Sequence, residues 1–240
     1  MKKVSCVMPT FNRYPKAAHL VAEAVESFLR QDYPDKELII FNDTPGQTLE
    51  LDQPYRDVVV VNSPRRYKTL GEKLNAAFGI ATGDFLCRFD DDDLSLPWRL
   101  SLSVERCEGL AYWSSKEFFY MNGDSCRVSR SGAPSKSIWS REVFDDVGGF
   151  PHVDSGQDQD FQALCKRQHP AHYRYEAIKP EEVFYVYRWG TGTPHLSGYG
   201  RGSKGYKAIG DREIARGTFT IEPGWLADYE TEIRKAAESD

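Results

Sequence analysis

Several features that define whole classes of protein are missing from this sequence of 240 residues. Its five cysteines are scattered and include no C-x-x-C pair, a spacing that fits neither a zinc site nor a disulfide framework. No run approaches the ~20 apolar residues of a membrane span. The apolar run near the N-terminus is too short for a secretory signal. We therefore expect a soluble, cytoplasmic protein with reduced thiols.

A strong excess of one charge is also lacking. The net charge of −5 argues against a general binder of polyanions. This average hides a split, because residues 166–212 carry nine Lys or Arg and four Asp or Glu, a net of +5, which leaves −10 for the rest of the chain. A basic segment beside an acidic body indicates a local anionic ligand rather than a coat for nucleic acid.

What the sequence does contain is an alternation of short apolar runs with stretches of helical periodicity. Four runs predict buried strands: KVSCVMPT, KELIIFND, RDVVVVNSP and DFLCRF. Between them, YPKAAHLVAEAVESFLRQ and TLGEKLNAAFGIATG predict helices, the second capped by Thr69 and ending near Gly83. Strands that alternate with helices predict an α/β fold with a mainly parallel sheet.

The pattern changes after Asp93. We expect a helix opened by Pro97, and then two strands around a turn at Asn122-Gly123. A short helix in SREVFDDVGGF and a longer one with Ser155 as its N-cap follow. After a strand in EEVFYVYRW, the segment GTGTPHLSGYGRGSKGYKAIG is rich in Gly and is predicted to be a long mobile loop, followed by a terminal helix.

One stretch, GDFLCRFDDDDLSLP, places four carboxylates directly after a buried strand, where they repel one another. Ligands of open α/β sheets bind beyond the carboxyl ends of the strands, so Asp43 and Asp90–Asp93 should converge on one crevice. That much carboxylate favours Mg²⁺ or Mn²⁺, which typically bridges carboxylates to a diphosphate. A solvated loop or a helix N-cap cluster is the alternative interpretation.

The succession of PTFNR, ELIIFND, KLNAAFGIATGDFLCRFDDDD, VGGF and GQDQDF resembles the family 2 glycosyltransferases of the GT-A fold, over residues 3–165. The resemblance implies an α/β fold of the GT-A (nucleotide-diphospho-sugar transferase) type, with helices on both faces of a mainly parallel central sheet and a mixed second half. It implies a single domain over residues 1–240. Residues 1–93 would bind the nucleotide sugar, and residues 94–240 would form the acceptor side, with a mobile loop at 189–207 and a C-terminal helix.

The activity implied by the resemblance is the metal-dependent, inverting transfer of a sugar from a nucleotide-diphospho-sugar to an acceptor hydroxyl. A UDP-sugar is the favoured donor, and Mn²⁺ or Mg²⁺ is the expected cofactor. The acceptor is open among a glycan, a lipid carrier and a small molecule, with a modified nucleic acid as the minority alternative.

The resemblance also assigns the donor site residue by residue. Phe11 is expected to stack on uracil, and Asp43 to contact the base or the ribose. Asp90 and Asp92 form the D-x-D pair, with Asp92 as the direct metal ligand. Core packing for Phe11 and a structural role for Asn75 are the alternatives. The residues expected to bind the nucleotide sugar are Pro9, Thr10, Phe11, Arg13, Asp43, Lys73, Asn75, Asp90 and Asp91.

Asp158 matches the position of the catalytic base at the start of a helix. The family usually has Glu-Asp there, whereas this chain has Gln157-Asp158, so Asp160 competes for the role. A simpler interpretation is that Asp158 interacts with the positive end of its helix.

The Gly-rich segment carries further expected ligands. His195 is predicted to bind the metal, since neutral imidazole is a credible Mn²⁺ ligand. Basic residues in and before this segment are expected to neutralise the diphosphate, and the alternative is a solvated basic face. These residues are Arg188, Arg201, Lys204 and Lys207.

Three other functions stay open at this point. A nucleotidyltransferase that makes sugar nucleotides usually has a Gly-rich phosphate loop after its first strand, and PTFNR contains no Gly. A catalytically inactive sugar-binding module would not need both the D-x-D pair and Asp158. A glycosyltransferase acting on modified nucleic-acid bases would draw on the basic segment and its aromatic residues. Those residues are Tyr185, Tyr187, Trp189, Tyr199 and Tyr206.

Overall fold

The computed structural model describes residues 1–123, 125–130, 134–153, 155–191 and 213–238. The Gly-rich segment predicted to be a mobile loop therefore lies mostly outside the described residues, as do His195, Arg201, Lys204 and Lys207. The strands are β1 (Val4–Thr10), β2 (Lys36–Asn42), β3 (Gln47–Leu51), β4 (Val58–Asn62), β5 (Phe85–Arg88), β6 (Leu94–Ser95), β7 (Tyr112–Ser115), β8 (Glu117–Asn122), β9 (Ser125–Arg130), β10 (Ile138–Ser140), β11 (Tyr173–Glu176), β12 (Tyr185–Trp189) and β13 (Gly217–Ile221). The helices are α1 (Ala18–Leu29), α2 (Leu70–Phe78), α3 (Arg99–Cys107), α4 (Arg141–Asp146), α5 (Gln157–Gln168) and α6 (Tyr229–Glu238).

In the described part of the chain, the central sheet has seven strands in the order β11-β7-β10-β5-β1-β2-β4. The four strands predicted from the first half, β1, β2, β4 and β5, are parallel neighbours. β10 runs antiparallel to both β5 and β7, and β11 is parallel to β7. The prediction of a mainly parallel sheet is confirmed.

Two hydrophobic cores lie on opposite faces of this sheet. On one face, Val21, Val25 and Phe28 of α1 pack against one side of β1. On the other face, Leu74 and Phe78 of α2 pack with residues of α4 and α5. Because alternate side chains of a strand point to opposite faces, a strand covered by helices on both sides is mostly apolar, as the run VSCVMP of β1 is apart from Ser5. Helices on both faces were the prediction, and it is confirmed.

A second sheet lies in the second half of the chain, in the order β6-β12-β8-β9 among the described residues. β8 and β9 form the hairpin predicted at Asn122-Gly123, with Gly123 at a φ of 57°. The predicted two strands are in fact three, because β7 leaves the hairpin to join the central sheet. A small parallel pair, β3 with β13, was not predicted. Its partners lie far apart in sequence, and only tertiary structure brings them together.

Two predicted helix boundaries are wrong. α2 is capped by the Thr69 side chain as expected, but it ends at Phe78 instead of near Gly83. Gly83 serves a close approach to β1, because a Cβ there would lie 2.7 Å from the Ser5 nitrogen. At α5 the N-cap is Gly156, whose φ of 79° is left-handed, and not Ser155. No helix of the described residues is long and apolar enough to cross a membrane.

Candidate active site

The carboxyl ends of β1, β2 and β5 lie side by side, because the three strands are adjacent and parallel. Asp43 follows β2 directly, and the carboxylate turn, defined as Asp90–Asp93, follows β5. Lys73 of α2 ties the first two ends together, since its Nζ donates to the Thr10 carbonyl at 2.6 Å and to Asp43 Oδ1 at 2.7 Å. The structure therefore places Asp43 and the carboxylate turn on one edge of the sheet, as the sequence predicted.

Asp43 is fully buried and paired with two cations. Its oxygens accept from Arg66 Nη1 at 2.7 and 2.8 Å, from Lys73 Nζ, and from the Tyr67 amide at 3.1 Å. Burial pushes the pKa of Asp43 up, but Lys73 and Arg66 outweigh it and hold that pKa below its usual value. Burial lowers the pKa of Lys73, and Asp43 opposes this shift. We call these three side chains the Asp43 cluster.

Phe11 lies beside the Asp43 cluster, against Arg66. The guanidinium of Arg66 stacks over the Phe11 ring at 3.5 Å from its centroid, and Phe11 is only half-buried. The alternative that Phe11 packs in the core therefore does not hold. Arg66 was missed in the sequence, where SPRRYK offers several exposed-looking cations and no signal that distinguishes one of them.

The carboxylate turn is met by arginines from other elements. Arg13, just after β1, makes a bidentate contact with Asp91 at 2.7 and 2.9 Å and reaches Asp92 Oδ2 at 2.7 Å. Burial raises the pKa of Asp91, but the charge of Arg13 reverses this and the net shift is downward. Arg13 was expected to contact the nucleotide sugar. In the structure it binds the carboxylates of the turn.

Arg88, the last residue of β5, links the turn to the predicted base. Its Nη2 lies 2.5 Å from Asp90 Oδ1, and its Nη1 lies 3.5 Å from Asp158 Oδ2. Arg88 is buried and was not predicted. The available signal was an arginine inside an otherwise apolar strand, two positions before the first Asp. Through Arg88 the structure brings Asp90 and Asp158 to one place.

Asp93 points to the other side of the turn. Its carboxylate accepts from the Tyr185 hydroxyl and from the Arg188 amide. Burial, and then the charges of Asp92 and Asp90, raise the pKa of Asp93 well above its usual value. Asp93 thus binds β12 of the second sheet, whereas Asp90, Asp91 and Asp92 bind Arg88 and Arg13.

Arg188, which was predicted to neutralise a diphosphate, is held by protein groups in the structure. It is 5 % exposed, and its Nε donates to the Asp92 carbonyl at 2.6 Å while its Nη1 pairs with Glu23 Oε2 at 2.5 Å. These partners could not be read from the sequence, because strand periodicity does not tell which face of β12 is covered. Arg188 therefore supports the backbone of the carboxylate turn through its bond to the Asp92 carbonyl.

Asn75 also has a structural function. Its Nδ2 donates to the Phe150 carbonyl and its Oδ1 accepts from the Phe150 amide, both at 2.8 Å. A Cβ on Gly149 would lie 2.6 Å from Asn75 Oδ1, so this glycine allows the approach. The amide of Asn75 therefore holds the loop before α5 and is committed to it.

Asp158 occupies the first turn of α5 and is about one-fifth exposed. Its Oδ1 accepts from the Gln159 amide at 2.8 Å, so Asp158 interacts with the positive first turn of α5 as well as with Arg88. Two buried polar atoms here have no protein partner among the described residues, Arg88 Nε and Gln157 Oε1. One belongs to the arginine that contacts Asp158, and the other to the residue before Asp158 in the chain. Asp160 also lies in the first turn of α5.

The donor atoms at the carboxylate turn suit a hard divalent cation. Four carboxyl groups, those of Asp90, Asp91, Asp92 and Asp158, meet Arg13 and Arg88 in the part of the chain that the structure describes, which leaves an excess of negative charge. No group of three or more metal-binding side chains is preassembled among those residues. Asp92, 8 % exposed, and Asp90 are the residues that fit a metal.

Comparison with solved structures identifies the architecture. Staphylococcus aureus TarS (residues 1–349, in complex with UDP-GlcNAc) matches 81 % of this chain and 60 % of its own, with a TM-score of 0.62 and 17 % identity. The Pyrobaculum calidifontis mannosyltransferase PcManGT, in complex with GDP-Man and Mn²⁺, matches 89 % of this chain and 66 % of its own, with a TM-score of 0.58 and 17 % identity. These similarities show the fold, which is GT-A.

Curated relatives are more similar in sequence. The putative glycosyltransferase EpsE of Bacillus subtilis is 37 % identical over 108 residues, which cover 42 % of this chain and 37 % of EpsE. The putative colanic acid biosynthesis glycosyl transferase WcaA of Escherichia coli is 30 % identical over 154 residues, 59 % of this chain and 52 % of WcaA. The chain thus matches about half or less of the length of these relatives.

A family model matches residues 5–126, half of the chain, and its description is glycosyl transferase family 2. The matched region contains β1, the Asp43 cluster and the carboxylate turn. The chain therefore belongs to glycosyl transferase family 2.

Proposed function

We propose that this protein is a metal-dependent, inverting glycosyltransferase that moves a sugar from a nucleotide-diphospho-sugar, with UDP-sugars favoured, to an acceptor hydroxyl. One observation carries the proposal. In a family 2 chain, Asp43, the carboxylate turn and Asp158 meet at one edge of the parallel sheet, linked by Lys73, Arg13 and Arg88. Ligands of open α/β sheets bind at this edge.

The Asp43 cluster and the carboxylate turn have the chemistry to bind two different parts of such a donor. At the Asp43 cluster, one carboxylate meets two cations, and the Phe11 ring and the Arg66 guanidinium offer flat faces for a nucleobase. Pro9 and Thr10 form the last residues of β1 beside it. We assign base and ribose binding to this end.

At the carboxylate turn, the excess of negative charge fits a divalent cation. Asp92, with Asp90, would hold Mn²⁺ or Mg²⁺, which supplies positive charge against the diphosphate of the leaving group. Arg13 and Arg88 orient the carboxylates of the turn. His195, Arg201 and Lys204 remain predicted ligands, and they lie outside the described residues.

Asp158 is assigned the role of general base. An acceptor oxygen attacks the anomeric carbon, the bond from that carbon to the diphosphate breaks on the opposite face, and Asp158 takes the hydroxyl proton. A single displacement inverts the anomeric centre. Arg88 contacts both Asp158 and Asp90, and so keeps the proposed base close to the carboxylate turn.

A panel of UDP-, GDP- and dTDP-sugars tests the donor. With Mn²⁺ present, we expect saturable binding of one nucleotide class and slow release of the nucleoside diphosphate by transfer to water. EDTA should abolish the release, and NMR should show the inverted anomer in the product. A chain that binds a donor without ever releasing the diphosphate would be a binding module, and release of pyrophosphate from a nucleoside triphosphate would indicate a nucleotidyltransferase.

A further inference from the structure

The buried face of α1 carries the polar side chains Glu23 and Ser27, and buried Gln31 follows at the same spacing, two residues after the helix ends. In a helix a spacing of four places side chains in one line, and we call these three residues the polar column. Gln31 Nε2 donates to the Leu96 carbonyl at 3.0 Å, and its Oε1 accepts from the Leu100 amide at 3.0 Å. Gln31 therefore binds the backbone of Leu96 and Leu100, in the part of the chain just after the carboxylate turn.

Glu23, at the other end of the polar column, supports the carboxylate turn through Arg188. Glu23, 1 % exposed, pairs with Arg188 Nη1 at 2.5 Å. Arg188 donates from Nε to the Asp92 carbonyl at 2.6 Å, and its backbone amide donates to Asp93 Oδ1 at 2.8 Å. A buried guanidinium needs a counter-charge, so Glu23 keeps Arg188 in position under the turn.

The second oxygen of Glu23 binds the C-terminal segment, defined as Trp225–Tyr229. Glu23 Oε1 accepts from the Tyr229 hydroxyl at 2.5 Å and from the Leu226 amide at 3.2 Å. Trp225 Nε1 donates to the Glu23 carbonyl and to Ser27 Oγ, each at 3.2 Å. One carboxylate thus joins a segment about 200 residues away in sequence to the carboxylate turn.

We propose that Glu23 is a positioning residue, which transmits the docking of the C-terminal segment through Arg188 to the backbone of Asp92 and Asp93. The inference rests on the proposed function, since the turn is taken to bind the donor. It adds a role for a segment outside the region that the family model matches. Partners that orient the ligands of a metal or diphosphate commonly control affinity without touching the ligand themselves.

Tyr229→Phe is the sharpest variant, because it removes one hydroxyl far from the donor edge and keeps the ring. We expect the KM for the nucleotide sugar and the dissociation constant of UDP or GDP, measured by calorimetry with Mn²⁺, to rise about threefold to tenfold, the effect of one hydrogen bond. The kcat at saturating donor should stay within about twofold of wild type. Glu23→Gln should raise both constants by about tenfold or more.

The matched control is Glu182→Gln, which breaks an ion pair with Arg106 of 2.6 Å outside the carboxylate turn and the Asp43 cluster. It should lower Tm without changing nucleotide affinity. In an Arg188→Lys background, Tyr229→Phe should change nucleotide affinity no further, because the path from Glu23 to the turn is already broken.

Two results would overturn the inference. One is a Tm loss in Tyr229→Phe and Glu23→Gln with unchanged nucleotide affinity, which would make Glu23 a structural anchor like Glu182. The other is full additivity of Tyr229→Phe with Arg188→Lys. If wild type binds UDP or GDP but transfers no sugar, the proposed function fails while nucleotide affinity still decides the role of Glu23. If wild type binds neither nucleotide, both fail.

Discussion

The Asp43 cluster and the carboxylate turn lie on the same edge of the sheet, yet their charges are balanced in opposite ways. At the Asp43 cluster, one buried carboxylate meets Arg66 and Lys73, so positive charge is in excess. At the carboxylate turn, the four carboxyl groups of Asp90–Asp92 and Asp158 meet Arg13 and Arg88 among the described residues, so negative charge is in excess. Under the proposed function, the base and ribose lie at the first, and the cation that meets the diphosphate lies at the second.

This difference teaches how the edge can recognise a nucleotide-diphospho-sugar with its metal. The carboxylate turn would need a cation before it could accept a diphosphate, whereas the Asp43 cluster would offer its own cations and the Phe11 ring directly to the base and ribose. The difference between the two sites depends on which arginine reaches which carboxylate. The first three of the following predictions each remove one side of the comparison, and the last concerns a buried lysine outside it.

Removal of a charge from the carboxylate turn should have the largest effect. Asp92→Asn takes away the carboxylate assigned to the metal, and we expect transfer to fall by about 10³-fold, the scale of losing a main electrostatic contact in a transition state. Donor binding should also lose its dependence on Mn²⁺. Asp57→Asn, at a partly exposed surface pair with Arg56, is the control. Normal turnover of Asp92→Asn with Mn²⁺ would refute the assignment.

Asp158→Asn should separate chemistry from binding. The variant keeps the size of the side chain and its place beside Arg88, so the donor dissociation constant should not change. Transfer should fall by about 10²-fold or more, as for loss of a general base. Asp160→Asn should cost less. Single-turnover kinetics measure both, and the opposite ranking of the two variants would move the base to Asp160.

At the Asp43 cluster we expect a smaller effect that is confined to binding. Arg66→Gln removes the cation stacked on Phe11, and the KM for the donor should rise by about tenfold with little change in kcat, because the interaction is made equally in ground and transition states. Arg65→Gln alters the neighbouring exposed arginine and should behave as wild type. Equal losses in the two variants would assign the effect to general surface charge.

The smallest predicted effect concerns a buried lysine in the second half. Lys136 is 1 % exposed, and burial lowers its pKa to about 7, although Glu117 opposes the shift. The unfolded chain binds this proton up to a higher pH than the folded chain does, so its contribution to the free energy of unfolding rises with pH above 7, by roughly 1 kcal/mol per pH unit.

Urea denaturation of wild type and Lys136→Met between pH 7 and pH 9 measures this contribution as a difference. That difference removes the opposing contributions of buried Cys and Tyr, which are present in both proteins. Parallel pH profiles for wild type and Lys136→Met would show that Lys136 keeps its proton throughout.

The elements of the first half were predictable because their signals are local. Apolar runs define β1, β2, β4 and β5, and helical periodicity defines α1 and α2. A connection that crosses over through a helix makes the two strands it joins parallel. Once the strands are parallel, the convergence of Asp43 and Asp90 follows from the order of the chain. The hairpin at Asn122-Gly123 was predictable for the same reason, since its turn residues are adjacent.

The partners of each charge were decided by tertiary structure alone. Nothing near Arg188 in the sequence shows that it pairs with Glu23, 165 residues away, or that it supports the turn instead of facing a ligand. Arg13 and Arg88 reach their carboxylates for the same reason, because burial forces each charge to find a counter-charge wherever the fold supplies one. The sequence alone therefore determined the strands, the helices and the place where the carboxylates gather, while the packing of distant elements decided which cation holds which carboxylate.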